Sequence, residues 1–291
     1  MVIFKRLTAY IVLSLLALGI LFVLLFVFLI PDVNKLSSCF ITSMNSVSFC
    51  NKNPDYINIE IVPEHFIDAL LISEDASFFY HDGFDFYEIK ESISNNILEG
   101  KNLRGASTIS QQVIKNAFLY EDKTIFRKLL EAVATYRMEK KYTKKQILEY
   151  YLNMVEFGEN VYGLQNASQH YFQKPAKYLS LLESTFLVQL LPSPKKREQE
   201  FLQIEKEDRY IERMQQILAK LYEYEKISIE QVRSALIELP FSPWYYTEAS
   251  QFYVAVVGED EDILLEEEMK TDSTEIGKPY SEQDEILKDS F

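Results

Sequence analysis

Twenty-four consecutive residues without a charge, Leu7 to Ile30, constrain this chain more than any other stretch. As a helix rising ~1.5 Å per residue, the run is long enough to cross the ~30 Å hydrocarbon core of a bilayer with some tilt. Lys5 and Arg6 precede it, and Pro31, Asp32 and Val33 follow. The positive-inside bias therefore places the short N-terminus in the cytoplasm and the rest of the chain outside. A cleaved signal peptide has a shorter apolar region, about 7 to 15 residues, ending at small residues. Here Phe28, Leu29, Ile30 and Pro31 make a poor cleavage site. The expectation is an uncleaved, single-pass signal anchor spanning residues 1–30 with its cytoplasmic tail.

The chain beyond the anchor is long enough for one sizeable domain with appendages. Acidity is unevenly placed. From Glu259 onward there are 13 acidic and three basic residues, which accounts for most of the chain's net charge of −14. The body is only mildly acidic, with no dominant basic stripe, so nucleic acid is not the expected partner. Residues 258–291 read as a solvated, acidic, disordered tail. Cys39 and Cys50 are the two cysteines, both in the mixed segment 31–55 that reads as a linker. Outside the cytoplasm they could close a small loop, although two cysteines alone do not define a framework.

From Pro63 onward the pattern is helical, so the fold class expected is mainly α. Phe66, Ile67, Leu70 and Leu71 share a face behind Pro63, read as a first-turn proline, and deliver Glu74 near a helix end. A helix over 86–98 runs into a loop at Gly100, Lys101, Asn102 and Gly105. Thr108 with Gln111, and Thr143 with Gln146, read as capping boxes. Gly158 reads as the stop of the second of these helices. The segment 124–141 presents Ile125, Leu129, Val133 and Tyr136 on one face, and 179–191 is apolar enough for a buried helix. Helices near 207–224 and 228–239 follow in an extension spanning 201–257, and the best short strand is 252–257.

Three polar clusters carry the chemistry. Glu74 sits beside Asp75 at the end of an apolar helix, where a like charge and partial burial raise a carboxyl pKa toward that of a general base. An adjacent Glu-Asp pair is also an ordinary surface feature, and His81, one turn beyond Phe78, is an ordinary hydrogen-bonder. The second cluster is more telling. Ser107, Thr108, Gln111, Gln112, Lys115 and Asn116 line a helix start led by Gly105, where backbone N–H groups and polar side chains meet anionic oxygens. A cap explains Thr108 and Gln111 but not the others. In the third, Arg127, Lys128 and Glu131 form either a surface ion-pair trio or a cationic clamp on a phosphate.

Taken in order, these clusters resemble the motifs of glycosyltransferase family 51, the peptidoglycan glycosyltransferases. Glu74, Asp75, Phe78, His81 and Gly83 match EDxxFxxHxG. Gly105, Ser107, Thr108, Gln111, Gln112, Lys115 and Asn116 match GxSTxxQQxxKN, and Arg127, Lys128 and Glu131 match RKxxE. ILEYYLNMVEFG at 147–158 and the segment 171–194 resemble the fourth and fifth motifs. The resemblance covers residues 56–200, read as the catalytic domain. Ser193 and Lys196 satisfy SxxK, but no KTG follows, and the 90 or so residues after Glu200 are too few for a transpeptidase domain.

The resemblance implies a lysozyme-like helical fold and polymerisation of lipid II, an undecaprenyl-pyrophosphoryl disaccharide-pentapeptide, into glycan strands. By that analogy Glu74 is the general base for the acceptor's 4-hydroxyl, and Arg127, Lys128 and Lys115 offset charge on the departing pyrophosphate. Glu131 holds these cations, or a divalent metal such as magnesium or manganese bridged to the pyrophosphate. Asp75, Thr108 and Gln112 position substrate, with Phe78, His81, Ser107, Gln111 and Asn116 completing the binding set. Expected partners are lipid II, the growing lipid-linked glycan, the membrane, and transpeptidases or other cell-wall synthesis proteins. The location implied is a bacterial inner membrane, with the body extracytoplasmic. Phe118, Leu119, Tyr120, Ile125 and Phe126 are either a membrane-touching rim or buried core. The rival readings are a lysozyme-like hydrolase and a non-catalytic scaffold.

Overall fold

A computed structural model describes residues 2–99, 107–120, 122, 124–202 and 207–239. In chain order the helices are α1 (Val2–Leu29), α2 (Glu64–Glu74), α3 (Phe86–Glu99), α4 (Ile109–Phe118), α5 (Ile125–Glu139) and α6 (Lys144–Met154), then α7 (Leu164–Phe172), α8 (Leu181–Leu190), α9 (Pro194–Leu202), α10 (Glu207–Glu223) and α11 (Ile229–Glu238). Two short hairpins pair β1 (Phe40–Ile41) with β2 (Ser48–Phe49) and β3 (Glu156–Gly158) with β4 (Val161–Tyr162). The fold is mainly α, as the helical periodicity predicts. The loop at 100–105, the strand expected at 252–257 and the acidic tail lie outside the described residues.

Local sequence sets the helix starts. Thr108, Thr143, Ser180 and Ser228 each accept a hydrogen bond from the backbone N–H three residues on, and the Gln or Glu at that position bonds back. Each reciprocal box satisfies two of the N–H groups that a helix start otherwise leaves unpaired. Two expected boundaries move. Pro63 stands just before the first turn of α2 rather than inside it. Gly158 does not stop α6, which ends at Met154 with Val155 extended. Its role is close approach: a Cβ there would overlap the Tyr171 hydroxyl and the Glu198 carboxylate.

The chain forms two compact units, one comprising residues 1–60, 77–155 and 162–165, the other 61–76, 156–161 and 166 onward. In the first unit α4 packs on α5 and α6, burying Val113, Ile114, Ala134, Met138, Leu148 and Tyr151. Among the described residues α1 is the one helix long and apolar enough to cross a membrane. Its Phe22 and Phe26 meet Phe126 of α5, with ring centroids 6.4 and 5.7 Å apart.

Residues 31–55, expected as a tether, are built into the first unit. Tyr142 donates its hydroxyl to the Val33 carbonyl at 3.0 Å, the Ser43 N–H reaches the Ala117 carbonyl at 3.0 Å, and Phe40 stacks on Phe118. Cys39 and Cys50 form a disulfide beside the β1–β2 pairing. Further on, Asn153 both donates to the Ile57 carbonyl and accepts from the Ile57 N–H, each at 2.8 Å. Glu149 accepts from the Tyr56 hydroxyl at 2.7 Å and the Ile59 N–H at 3.1 Å.

In the second unit α2, α8 and α10 pack together. Helix α8 is buried along almost its whole length, as an apolar run of that kind predicts, and Phe186 stacks edge-on with Phe172 and Phe201. Asp68 on α2 is buried, with Lys226 3.9 Å away. Burial pushes its pKa up to about 6; Lys226 opposes the shift and Glu64 adds to it.

Replacing both cysteines by serine opens the loop that the disulfide closes in the unfolded chain across a separation of 11 residues, and is expected to cost about 2–3 kcal/mol, read as a lower midpoint in denaturant. For Asp68, the folded state holds its proton more tightly than the unfolded state. Its contribution is fullest below the unfolded carboxyl value and is lost as pH rises toward 6. Asp68→Asn is therefore expected to flatten the decline in stability between about pH 4 and 6. An unchanged slope would place the effect elsewhere.

Candidate active site

A polar cluster in the first unit centres on Glu131, which is 1% exposed. Thr124 caps α5 by accepting from the Arg127 N–H, so Arg127, Lys128 and Glu131 occupy its first two turns, three and four residues apart on one face. Arg127 Nη1 donates to Glu131 Oε2 at 2.7 Å, and Lys128 Nζ donates to Oε1. Lys128 Nζ also reaches Ser107 Oγ at 3.2 Å, and Arg127 Nε donates to the Asp122 carbonyl. Two cations thus share one buried carboxylate, leaving a net positive charge on donors whose positions are set. A solvated trio would be worth little, but an anion buried between two cations depends on both.

The neighbouring loop is held by Gly83, which has φ +90°. A Cβ at this position would come within 2.8 Å of Thr135 Cγ2 and 3.0 Å of Glu139 Cγ. Thr108 donates its hydroxyl to the Gly83 carbonyl at 2.8 Å while accepting from the Gln111 N–H at 3.2 Å. Gln111 returns its amide oxygen to the Thr108 N–H. Both side chains are buried, so what the structure assigns them is the joining of the loop to the start of α4. His81 accepts from the Gly83 N–H at Nδ1, 3.0 Å away, which leaves the proton of its neutral form on Nε2. Phe78 is fully buried, edge-on to His81 and beneath the ammonium of Lys144 at 4.6 Å.

Along α4, Gln112, Lys115 and Asn116 form a half-exposed strip opposite the buried Val113, Ile114 and Ala117. The Tyr151 hydroxyl approaches Gln112 Oε1 at 3.5 Å. Gly105 of the same motif lies outside the described residues. Tyr120 and Ile125 are exposed, whereas Leu119 is buried and Phe118 half-buried, so the apolar segment divides between surface and core.

Glu74 and Asp75 belong to the second unit. Glu74 is the last residue of α2 and half-buried; Asp75 is its buried C-cap, with its N–H on the Leu71 carbonyl at 2.9 Å. Arg197 of α9, not singled out by the motif pattern, is electrostatically coupled to Glu74. Burial holds the Arg197 pKa below the ordinary guanidinium value, and Arg213 adds to this, whereas Glu74 and Glu200 favour its charged form. Arg197 Nη1 donates to the Gln189 carbonyl, and Arg213 joins Gln189 Oε1 at 3.0 Å to Glu200 at 3.2 Å. The base candidate thus ends a helix in the unit that also holds Arg197, whose charged form it favours. The sequence signal of Arg197 was slight: a single Arg after two prolines.

A divalent metal does not fit the donors at Glu131, whose two oxygens are taken by Arg127 and Lys128. Among the described residues no three His, Cys, Asp or Glu side chains come together to supply an alternative.

Gly83→Ala is expected to destabilise the protein by about 2 kcal/mol or more, because it combines a positive φ with an overlap on Thr135. A melting temperature equal to that of the unsubstituted chain would contradict the strain assigned to this turn.

Residues 42–222 match the Transglycosylase family. The chain is 43% identical over 141 residues to a protein of Acinetobacter baumannii (strain SDF) named biosynthetic peptidoglycan transglycosylase, a stretch covering 48% of this chain and 63% of the relative. Proteins of the same name from Shewanella denitrificans (45% over 142 residues; 49% of this chain and 62% of the relative) and Pasteurella multocida (43% over 139 residues; 48% and 56%) are similar. The chain spans less than two thirds of the length of each of these relatives. The match begins within the segment read as a linker and runs on through most of α10, beyond the 56–200 range of the motifs. With all five motifs inside a match that covers well over half of its residues, this chain belongs to the Transglycosylase family.

Proposed function

We propose that this chain is a membrane-anchored peptidoglycan glycosyltransferase that polymerises lipid II, with inversion at the anomeric carbon and release of undecaprenyl pyrophosphate. One observation carries the reading. The helix bearing Arg127, Lys128 and buried Glu131 begins against Phe22 and Phe26 of the apolar α1, so its cations lie beside the anchor, where a lipid-linked diphosphate presents its charge. The names of the relatives support the same substrate class.

In this mechanism the Glu74 carboxylate takes the proton of the acceptor's 4-hydroxyl. The oxygen attacks the donor's anomeric carbon from the face opposite the lipid diphosphate, forming the β bond as the α carbon–oxygen bond breaks. Arg127, Lys128 and Lys115 offset the charge that collects on the departing diphosphate, an electrostatic contribution that needs donors already in place. Glu131 keeps two of them there, and Thr108 with Gly83 and His81 fixes the adjoining loop. Asp75, Ser107, Gln112 and Asn116 complete the set that orients substrate, while buried Phe78 and Gln111 hold the backbone around them.

The body is extracytoplasmic in this reading, supported by Lys5 and Arg6 ahead of the anchor and by the Cys39–Cys50 disulfide, which persists in oxidising compartments. The growing glycan, the membrane, transpeptidases and other cell-wall synthesis proteins are the partners proposed. A muramidase has no use for the Arg127–Lys128 pair, which weighs against hydrolysis. Intact Glu74 and Glu131 weigh against a non-catalytic scaffold.

Purified chain supplied with lipid II is expected to form glycan polymer, and finished peptidoglycan is expected to stay uncut. Glu74→Gln should abolish polymerisation with folding unchanged; normal polymer yield from this variant would remove the proposed base. Glu131→Gln should slow turnover at least about tenfold, since its cations lose their fixed positions. The same assay with a chelator separates cation side chains from a metal as the source of charge: undiminished turnover is the outcome expected from the donor set at Glu131.

A further inference from the structure

Four cations outside the proposed catalytic set gather where the chain leaves the anchor. Lys35 sits in the 3-10 turn Val33–Ser37, and Arg137, Lys140 and Lys141 close the far end of α5; all four are exposed. The two segments are joined. Tyr142, buried, donates to the Val33 carbonyl, and Lys141 Nζ donates to Asn34 Oδ1. Val33 lies three residues beyond Ile30, so this junction stands within about 11 Å of the end of the apolar run. That is close to one Debye length, inside which a charged membrane surface acts on side chains.

Among the described residues, opposing charge nearby is limited. Asp32 is engaged in capping the 3-10 turn through Asn34, and Asp82 pairs with Lys140 at 3.7 Å with both side chains largely exposed. Lys144 is taken by Glu139 at 2.8 Å, and Lys145 by Glu60 at 3.3 Å. Among the described residues, four cations therefore meet the exposed carboxylates of Asp32 and Asp82 here, in a chain whose net charge is −14. Helix-dipole complementarity alone would account for Arg137 and Lys140 but not for Lys35 on a separate segment.

We propose that Lys35, Arg137, Lys140 and Lys141 form a collar that binds the anionic phospholipid headgroups of the leaflet from which the anchor emerges. The collar is distinct from the diphosphate clamp, because Arg127 and Lys140 are about 20 Å apart along the helix axis. It rests on the reading of α1 as membrane-spanning. It also accounts for how a basic surface reaches the outer leaflet without disturbing insertion: three of its four charges lie more than a hundred residues beyond the anchor, outside the reach of the positive-inside bias.

The test uses the full chain, extracted mildly from vesicles of phosphatidylcholine carrying a minor share of phosphatidylglycerol, with retained lipids identified by native mass spectrometry. The unsubstituted chain is expected to enrich phosphatidylglycerol at least about threefold over the bulk ratio, and less at high salt. The triple variant Arg137→Gln, Lys140→Gln, Lys141→Gln should fall to the bulk ratio while melting within a few degrees of the parent. Should the triple variant not fold, the double variant Lys35→Gln, Lys140→Gln is expected to lose part of the enrichment, and an unchanged ratio there would overturn the collar. So would a parent chain at the bulk ratio, or full enrichment in the triple variant, which would assign the lipid to other cations. Lipid II polymerisation in detergent, expected to be equal in parent and variant, is read in parallel. Its absence from both would sink the proposed function and leave the collar standing.

Discussion

The carboxylate of Glu131 is the interaction around which the first unit's polar chemistry is arranged. A buried anion is costly unless each oxygen is paired, and here each oxygen takes one cation from the same helix. The arrangement works in both directions. Arg127 and Lys128 make burial of Glu131 tolerable, and Glu131 removes their freedom to wander into solvent. Ser107 Oγ, within 3.2 Å of Lys128, ties the trio to the segment that leads into α4. What emerges is a small, fixed excess of positive charge beside the apolar anchor, the condition a lipid-linked diphosphate requires.

Much of this was legible in residue order. Reciprocal caps at Thr108 and Thr143 announce α4 and α6 because a hydroxyl followed three residues later by an amide pairs two N–H groups locally, with no help from distant chain. The same signature stands at Ser180 and Ser228, and both open helices. Gly158 shows the limit of such reasoning. A glycine after an apolar helical run reads as a stop, but its demand comes from Tyr171 and Glu198, contacts with residues far along the chain. Segment 31–55 was opaque for a related reason: its Ser, Asn and Pro content looks like a tether, while Tyr142, Ala117 and Phe118 hold it from more than sixty residues away.

The candidate site divides the same way. Motif spacing marks Glu74, Glu131, Arg127 and Lys128, since spacing of three and four on a helix is a local property. It does not separate a buried carboxylate from a surface one; burial at Glu131 comes from the packing of α4 and α5. Nor does it mark Arg197, whose relation to Glu74 depends on α9, a helix that carries no periodic apolar signature of its own. Helix α10 lies in the extension beyond the motif-bearing 56–200 range, yet with α8 and α9 it assembles Arg197, Arg213, Glu200 and Gln189 into a network that includes the charge of the proposed base.

In the proposed function, recognition of a lipid diphosphate falls to the Arg127–Lys128 pair held by Glu131. Its most direct measurement compares the binding of undecaprenyl pyrophosphate with that of undecaprenyl monophosphate to the full chain in nanodiscs, for the parent and for Arg127→Met. Preference for the diphosphate in the parent, reduced by about tenfold or more in the variant, is the result expected when a charge-assisted clamp loses one arm. Equal preference in the two proteins would mean that the trio is a structural ion network and that the diphosphate is held elsewhere.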